Sequence, residues 1–309
     1  MSAVEEIEEL QEILKSDSSN YQARRRLAVL LLDNGFNEEA LKQFLFLSGV
    51  FPTDAGLFYN LGIVFEKLKK LDNAIHYYKK ATEISPDETD FYYNLGLVYI
   101  DKQEYDKAIE CFKKVLTKDK DDSNSYFNLG LCFFKQGKYE PAAKCFNKAL
   151  EYNPCDVFAY FYLGYIHKNK GETEEAKEKY YKVIEVCPEY SWAYFNIASI
   201  AFEEGEMELA VENLQKTLEL NPLDIEAYKI YSKILIKSGE IQEAQKLIEH
   251  AITENPDKAD LYYVLAQIYK LQGNNEDYVK ALKHALKQYK TLSFSPKAVK
   301  QELDKIEVK

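Results

Sequence analysis

The side chains that could hold a metal ion are spread along this sequence rather than grouped as known sites require. His250 and His284 are candidates for a shared ion, because they occupy equivalent places 34 residues apart. Two imidazoles without a third ligand do not make a firm zinc site, and the alternative is a solvated outer helix face. The run 118–122, Lys-Asp-Lys-Asp-Asp, lacks the glycine and terminal glutamate of a calcium-binding loop. It is expected to be a polar turn.

Catalytic motifs are equally absent from the sequence. There is no glycine-rich phosphate loop, no G-x-S-x-G and no H-E-x-x-H, and acidic residues are scattered along the chain. The five cysteines are odd in number and form no C-x-x-C pair, which indicates reduced thiols rather than disulfides or zinc ligands. They are Cys111, Cys132, Cys145, Cys155 and Cys187. We therefore expect no catalytic residues, no metal and no cofactor, and a protein that is not an enzyme.

Charge and hydropathy limit the partners. The net charge of −11 repels nucleic acid and anionic membranes. No run approaches the 18 apolar residues that a membrane span needs, and the first ten residues lack the basic and apolar segments of a signal peptide. The expected location is the cytoplasm, and the expected partner is a protein or peptide.

Six of the eight prolines share one spacing. Each is separated from the next by 34 residues or a multiple of it, which indicates an internal repeat. They are Pro52, Pro86, Pro154, Pro188, Pro222 and Pro256. With proline at position 32, eight repeats without insertions fill residues 21–292. They begin at Tyr21, Ala55, Thr89, Ser123, Val157, Ser191, Ile225 and Ala259.

Each repeat predicts two helices. Apolar residues recur at positions 4, 7, 8 and 11 and again at 20, 24 and 27, the spacing of two amphipathic helices packed together. Position 8 is always small, as at Gly62, and position 20 is alanine in seven repeats, which allows close approach. Glycine stands at position 15 in six repeats, where it suits a left-handed helix end. The predicted fold class is all-α.

These positions closely resemble the tetratricopeptide-repeat family, which has an aromatic at 4, Leu-Gly at 7 and 8, Ala at 20 and Pro at 32. Repeat two carries Phe58, Leu61, Gly62, Phe65, Ala74, Tyr78, Ala81 and Pro86. The resemblance implies an α-solenoid, a right-handed superhelix with a concave groove lined by the first helices. Departures occur mainly in the end repeats, at Arg24, Lys120, Tyr278 and Lys290.

The segments outside the array are amphipathic. Residues 1–20 predict an N-terminal capping helix over Ala3–Leu14. Residues 293–309 predict a C-terminal capping helix over Pro296–Val308, with proline in its first turn. The C-terminal segment could instead be a detachable tail.

By the same resemblance, the groove is lined by positions 2, 5, 6, 9, 12 and 13. In repeats two to six these positions are rich in aromatic, aliphatic and asparagine residues outside the family's core set, so we expect them to form a binding surface. The candidates are Tyr59, Asn60, Ile63, Tyr93, Asn94, Leu97, Phe127, Asn128, Leu131, Phe134, Phe158, Phe161, Tyr165, Trp192, Phe195, Asn196 and Phe202. The alternative is that the aromatics at position 5 pack against the next repeat.

Asparagine recurs at position 6, as at Asn94 and Asn128. Its amide both donates and accepts, so each asparagine could clamp a peptide group of an extended ligand at about every third residue. Alternatively, the asparagines bond only to neighbouring helices.

Two functions remain from the sequence. The first is a non-catalytic scaffold or adaptor that binds a peptide or protein segment, extended or helical, in the groove. The second is a structural subunit that self-associates, and hence forms a homo-oligomer, through its end repeats or C-terminal helix. Neither the partner nor its pathway follows from the residues.

Overall fold

The computed structural model describes residues 2–307, and the regular elements in that range are helices. The predicted all-α class is confirmed. The α-helices are α1 (Ala3–Ser16), α2 (Tyr21–Asp33), α3 (Asn37–Val50), α4 (Ala55–Lys67), α5 (Leu71–Ile84), α6 (Thr89–Asp101), α7 (Tyr105–Lys118), α8 (Ser123–Lys135), α9 (Tyr139–Tyr152), α10 (Val157–Lys170), α11 (Thr173–Val186), α12 (Ser191–Glu204), α13 (Met207–Leu220), α14 (Ile225–Lys237), α15 (Ile241–Glu254), α16 (Ala259–Leu271), α17 (Asn275–Lys287) and α18 (Pro296–Glu307). A short 3₁₀ turn, Tyr289–Thr291, precedes α18.

Helices α2 to α17 alternate as the first and second helices of eight hairpins. Inside a hairpin, the residue at position 15 has a positive φ, which lets the chain reverse. Gly35 has φ +83°, and five other glycines behave in the same way. In repeats two and three this residue is Lys69 and Gln103, respectively, and their backbone φ values are 60° and 61°. The turn geometry is therefore kept even where glycine is missing.

Close contact between the two helices of a hairpin depends on position 8. A Cβ atom placed on Gly62 would lie 2.5 Å from Cδ1 and Cε1 of Tyr78, whose side chain is fully buried. Four glycines at position 8 face an aromatic at position 24, and in repeats six to eight an alanine or serine stands opposite leucine or isoleucine. The pairs are Gly62/Tyr78, Gly96/Phe112, Gly130/Phe146 and Gly164/Tyr180, then Ala198/Leu214, Ser232/Ile248 and Ala266/Leu282.

Several first helices begin at a capping side chain. Asp54 accepts a hydrogen bond from the backbone N–H of Leu57 at 3.3 Å, and Asp224 accepts one from Ala227 at 3.0 Å. Such caps satisfy N–H groups that the helix itself leaves unpaired. The first helices α6, α12 and α16 begin without such a side-chain bond.

The chain divides into two compact units, Met1–Ala159 and Tyr160–Lys309, and the boundary lies within α10. In the first unit, one continuous apolar core runs from Ile7 on α1 to Cys132 on α8. In the second unit, successive smaller cores follow the hairpins, and the last of them includes Val299 and Leu303 of α18.

Helix α18 packs against α17 with residues at the positions that a first helix of the repeats buries. Val299 and Leu303, both buried, occupy positions 7 and 11 of the 34-residue frame. Glu302 accepts hydrogen bonds from Lys270 Nζ at 2.9 Å and from the Tyr278 hydroxyl at 2.5 Å. Position 8 is Lys300, which is exposed, whereas the eight repeats carry a small residue there. Residues 308 and 309, part of the predicted C-terminal segment, and Met1 of the N-terminal segment lie outside the described residues.

Candidate functional site

In the first unit, the aromatic side chains at position 5 are half-buried. The ring centroid of Tyr59 lies 4.9 Å from that of Phe91 in the next repeat. The ring of Tyr93 packs edge-on at 5.8 Å against Phe112, and that of Phe127 lies 5.6 Å from Phe146. These rings thus support neighbouring helices and present only part of their area outward.

The asparagines of repeats three and four are held by the preceding tyrosine. Asn94 Nδ2 donates to the Tyr59 hydroxyl at 2.9 Å and to the Asp90 carbonyl at 2.9 Å. Asn128 Nδ2 donates in the same way to Tyr93 at 3.1 Å and to the Asn124 carbonyl at 3.0 Å. Both amide hydrogens are used within the chain, so the expected two-sided clamp on a peptide group is wrong for these residues. Asn128 is also only 8% exposed, so little of its side chain can meet a ligand.

The two tyrosine hydroxyls keep their protons. Burial, with a further contribution from the Asp90 carboxylate, raises the pKa of Tyr59, and burial with the Asp122 carboxylate raises the pKa of Tyr93. Since each oxygen accepts from an asparagine, the hydroxyl proton remains available to donate. This surface can therefore offer O–H donors to a ligand carbonyl.

The remaining predicted residues of the first unit are mostly half-buried. They are Asn60, Ile63, Leu97, Leu131 and Phe134, on α4, α6 and α8. Phe158, at the start of α10, is 54% exposed.

The second unit exposes larger aromatic area on its first helices. Trp192 at position 2 of α12 is 53% exposed, and Tyr165 at position 9 of α10 is 38% exposed. The Trp192 ring meets Phe195 edge-on at 6.1 Å, whereas Phe161 packs at 5.8 Å against the ring of Tyr180. We call five residues of these two helices, Phe161, Tyr165, Trp192, Phe195 and Asn196, the α10–α12 patch. Phe202 lies further along α12 and is half-buried.

Asn196 differs from the asparagines of the first unit. Its Nδ2 donates to the Trp192 carbonyl at 2.7 Å. The residue at position 5 of the preceding repeat is Phe161, which has no hydroxyl, so the partner that Tyr59 and Tyr93 supply is missing. Within residues 2–307, no second hydrogen bond from the Asn196 amide is found. One N–H and the amide oxygen can therefore meet a ligand.

Ion pairs replace the aromatic at position 5 in repeats one and seven. Arg25 lies 2.6 Å from Asp54, and Lys229 lies 3.2 Å from Asp260. Burial alone would raise the pKa of Asp260, but hydrogen bonds from Ser293 and Lys229 together bring it below its usual value. Charge pairing, rather than an aromatic ring, therefore flanks the aromatic position-5 residues of repeats two to six.

A contact between positions 26 and 4, not predicted from the sequence, accounts for His284, one of the two aligned histidines. Position 26 carries a basic side chain over the aromatic at position 4, as Lys80 lies 3.9 Å from the ring centroid of Phe58. His284 takes the same place and stacks at 5.3 Å on Tyr262. The signal was present in the sequence, because positions 4 and 26 pair aromatic with basic residues along the array.

Metal, thiol and membrane chemistry find little support in the described part of the chain. No three His, Cys, Asp or Glu side chains there converge as metal ligands. Burial raises the pKa of Cys111 and of Cys132 to about 12, which keeps both thiols protonated. No helix among residues 2–307 is long and apolar enough to cross a bilayer.

A cavity of about 810 Å³ lies away from the first-helix residues, between the second helices α5 and α7 and over α6. Its floor includes Tyr92, Leu95 and Tyr99, which are core positions of repeat three. Lysines and glutamates of α5 and α7 surround it, among them Lys79, Lys113 and Glu110. It is an open cleft with a mixed-charge rim, and it contains none of the predicted binding residues.

Five family models of tetratricopeptide repeats match the chain. One matches residues 55–88 and 123–154, a second 96–137 and a third 77–110 and 145–178. Two others match residues 193–222 and 235–291. Comparison with curated proteins gives no match.

Solved structures of several repeat proteins are similar. MamA is 28% identical with a TM-score of 0.51, over 52% of this chain and 95% of that one. YrrB, a tetratricopeptide protein described as having an unusual peptide-binding site, is 26% identical with a TM-score of 0.52, over 60% and 95%. The C-terminal part of a repeat protein from Cytophaga hutchinsonii is 21% identical, with a TM-score of 0.65 over 74% and 94%, and shows the shared α-solenoid fold. The chain belongs to the tetratricopeptide-repeat family.

Proposed function

We propose that this protein is a non-catalytic scaffold that binds a segment of another protein on its first helices, with the α10–α12 patch as the main contact. The observation that carries the proposal is the exposure of Trp192 at 53% on α12, together with that of Tyr165 at 38% on α10. Tryptophan and tyrosine are the residues that most often dominate binding energy at interfaces. A ring this exposed has a large apolar area to remove from water, so covering it with a partner contributes strongly to the binding free energy.

The patch favours an apolar side chain flanked by peptide backbone. Trp192 and Phe195 meet edge-on at 6.1 Å and offer a hydrophobic wall. Asn196, with one N–H and its oxygen free of partners within the described range, can bond a ligand C=O and N–H. An extended segment presents both groups at its edge, whereas a helix has already paired them. We therefore favour an extended ligand.

One similar protein supports the proposal that a peptide segment is the ligand. YrrB is described as having a peptide-binding site, and it shares 26% identity over 60% of this chain. An enzymatic function has no comparable support, since the only strongly shifted pKa values among the described thiols and tyrosines come from burial in the core.

The experiment is affinity capture with the intact chain, followed by titration of the captured partner. The test variant is Trp192→Ala with Tyr165→Ala, and the control is Tyr181→Ala, an aromatic of 47% exposure on the second helix α11. We expect the double variant to lose at least tenfold in affinity at unchanged helicity, since truncation of a hot-spot aromatic typically costs about 2 kcal/mol or more. Equal affinity in parent and double variant would refute the proposal, as would an equal loss in the Tyr181 control.

Self-association, the second function open from the sequence, finds no support at α18. The outward positions of that helix are polar, with Lys297, Lys300 and Lys305 exposed. Another helix packed on this side of α18 would have to bury the Lys300 ammonium where the repeats carry glycine, alanine or serine.

A further inference from the structure

Three aromatic rings of repeat two form a stack. Phe58 at position 4 and Phe65 at position 11 lie two turns apart on one face of α4. The ring of Tyr77, at position 23 on α5, stacks on both of them. Its centroid lies 6.3 Å from that of Phe58 and 5.2 Å from that of Phe65, with interplanar angles of 8° and 4°. An aromatic ring is therefore what this place in the repeat accepts.

Repeat three has the two outer rings of this stack without the third. Tyr92 and Tyr99 occupy positions 4 and 11 of α6, but position 23 of α7 is Cys111, whose side chain ends at the sulfur. All three residues line the cavity of about 810 Å³ between α5 and α7. The cavity thus includes the place that Tyr77 fills one repeat earlier. We call this place the repeat-three slot.

Two other repeats have phenylalanine or tyrosine at both positions, and each stacks a ring of its own on position 4. In repeat four Tyr126 stacks on Tyr152 of position 30, at 5.9 Å. In repeat eight Tyr262 stacks on His284 of position 26, at 5.3 Å. Repeat three carries lysine at both of these positions. Its hairpin therefore supplies no ring for the slot from position 23, 26 or 30.

The slot can be reached from outside. Tyr92 is half-buried, and Lys79 and Lys107 lie over the ring of Tyr99, with Nζ 6.0 and 5.5 Å from its centroid. Glu104 holds Lys107 at 2.6 Å, whereas Lys79 is exposed and forms no ion pair with residues 2–307, so it can swing outward. A second cavity of about 200 Å³, which shares Tyr92, continues the cleft. A cleft that is open along its length suits a chain segment on either side of an inserted ring.

We propose that the repeat-three slot binds an aromatic side chain, tyrosine by preference, from a segment of another protein. The ring would stack on Tyr92 and Tyr99 as Tyr77 stacks on its two neighbours. The volume of the cleft lies within the range of about 300–1,000 Å³ that is usual for ligand sites. Lysines and glutamates at its rim, among them Lys113 and Glu110, can hydrogen-bond a phenol hydroxyl, which favours tyrosine over phenylalanine.

This site lies beyond the proposed binding on the first helices. It is built between second helices of the first unit, and it shares no residue with the α10–α12 patch. A scaffold with both sites could hold two protein segments, each recognised by separate side chains.

A peptide titration of the full chain tests the proposal. The probe is the neutral pentapeptide Ser-Gly-Tyr-Gly-Ser with blocked ends, added to millimolar concentration while backbone amide shifts are followed by NMR. We expect saturable shifts at residues that line the cleft, with a Kd on the order of 1 mM because a single ring is covered. The same peptide with alanine in place of tyrosine should cause none.

Three variants separate the slot from other effects. Cys111→Tyr should fill the slot as Tyr77 does in repeat two and weaken peptide binding by at least about tenfold, with an unfolding midpoint no lower than that of the parent. Cys111→Ala removes the thiol and leaves the slot open, so it should bind like the parent. Cys145→Tyr, the same change at position 23 of repeat four, is the matched control and should also bind like the parent.

Several results would overturn the proposal. These are a parent without saturable shifts, parental affinity in Cys111→Tyr, a lowered unfolding midpoint in that variant, and equal binding of the alanine peptide. Dimerisation of the chain that the tyrosine peptide reverses would place a second copy, rather than another protein, in the slot.

The two binding sites can be tested independently. The Trp192→Ala, Tyr165→Ala variant should bind the pentapeptide normally, and loss of binding there would place the peptide on the α10–α12 patch instead. Conversely, Cys111→Tyr should leave the affinity of a partner captured through that patch unchanged. Failure of one proposal is therefore distinguishable from failure of the other.

Discussion

Replacing Gly62 by alanine tests how far the hairpin geometry depends on one missing methyl group. The new Cβ would lie 2.5 Å from two ring carbons of Tyr78, where ordinary contact begins at 3.4 Å. The ring must therefore retreat by about 1 Å in a fully packed core. Its hydroxyl donates to Glu66 at 3.0 Å, which resists that movement.

The magnitude follows from two opposing effects. Overpacking of this kind costs about 1–3 kcal/mol, while alanine gains about 1 kcal/mol over glycine in a helix. We expect a net loss of up to about 2 kcal/mol in the free energy of unfolding, from the difference between these two effects. The ring of Tyr59 lies 5.7 Å from that of Tyr78, so the displacement should also reach the first-helix surface.

The assay is urea unfolding followed by circular dichroism, in a double-mutant cycle with Tyr78→Leu. The cycle recreates the combination that the chain itself uses at Ala198 and Leu214. With leucine at position 78, Gly62→Ala should become stabilising by about 1 kcal/mol, the helix preference alone. The coupling energy should then be about 1–3 kcal/mol, the overpacking cost itself. If Gly62→Ala has the same effect in both backgrounds, steric exclusion by Tyr78 is not the reason for the glycine.

Two further predictions concern backbone strain and pH. Gln103→Gly should stabilise the chain by about 0.5–1 kcal/mol, because it removes the strain of a residue with a side chain at φ 61°. Gly137→Gln should destabilise the chain by a similar amount. Urea unfolding midpoints that do not move would contradict both predictions. Since Asp260 titrates below its usual pKa, its bonds to Ser293 and Lys229 stabilise the fold above about pH 4 and are lost as the pH falls through the folded pKa. The protection factor of the Ser293 amide, its exchange relative to the intrinsic rate at the same pH, should therefore fall on acidification, and a constant protection factor from pH 6 to pH 3 would be inconsistent with this.

The period and the pairing of helices could be predicted from sequence because each rests on local physical rules. Proline, small residues and apolar spacing recur every 34 residues, and each acts within one hairpin. Where the glycine at position 15 is replaced by Lys69 or Gln103, the backbone still takes the left-handed conformation. Packing of the flanking helices evidently outweighs the local cost of about 1 kcal/mol.

The binding surface was harder to predict because its residues act between repeats. Asn94, Asn128 and Asn196 stand at the same position and look equivalent in the sequence. Their hydrogen bonds depend on the residue 35 places earlier, which is tyrosine for the first two and Phe161 for the third. A single hydroxyl group decides whether the amide is used inside the chain or left for a ligand.

This difference changes where a ligand is expected. The sequence spreads candidates evenly over repeats two to six, and the best family matches lie in repeats two and four. The tyrosine–asparagine bonds, however, make the first-helix surface of repeats three and four part of the internal scaffold, with Asn128 only 8% exposed. Exposed rings and an incompletely bonded amide occur together in repeats five and six, at Trp192, Tyr165 and Asn196. Similarity to the family pattern thus marks the repeats that are best packed, and the binding residues are to be sought where the packing leaves hydrogen-bonding groups and aromatic area unused.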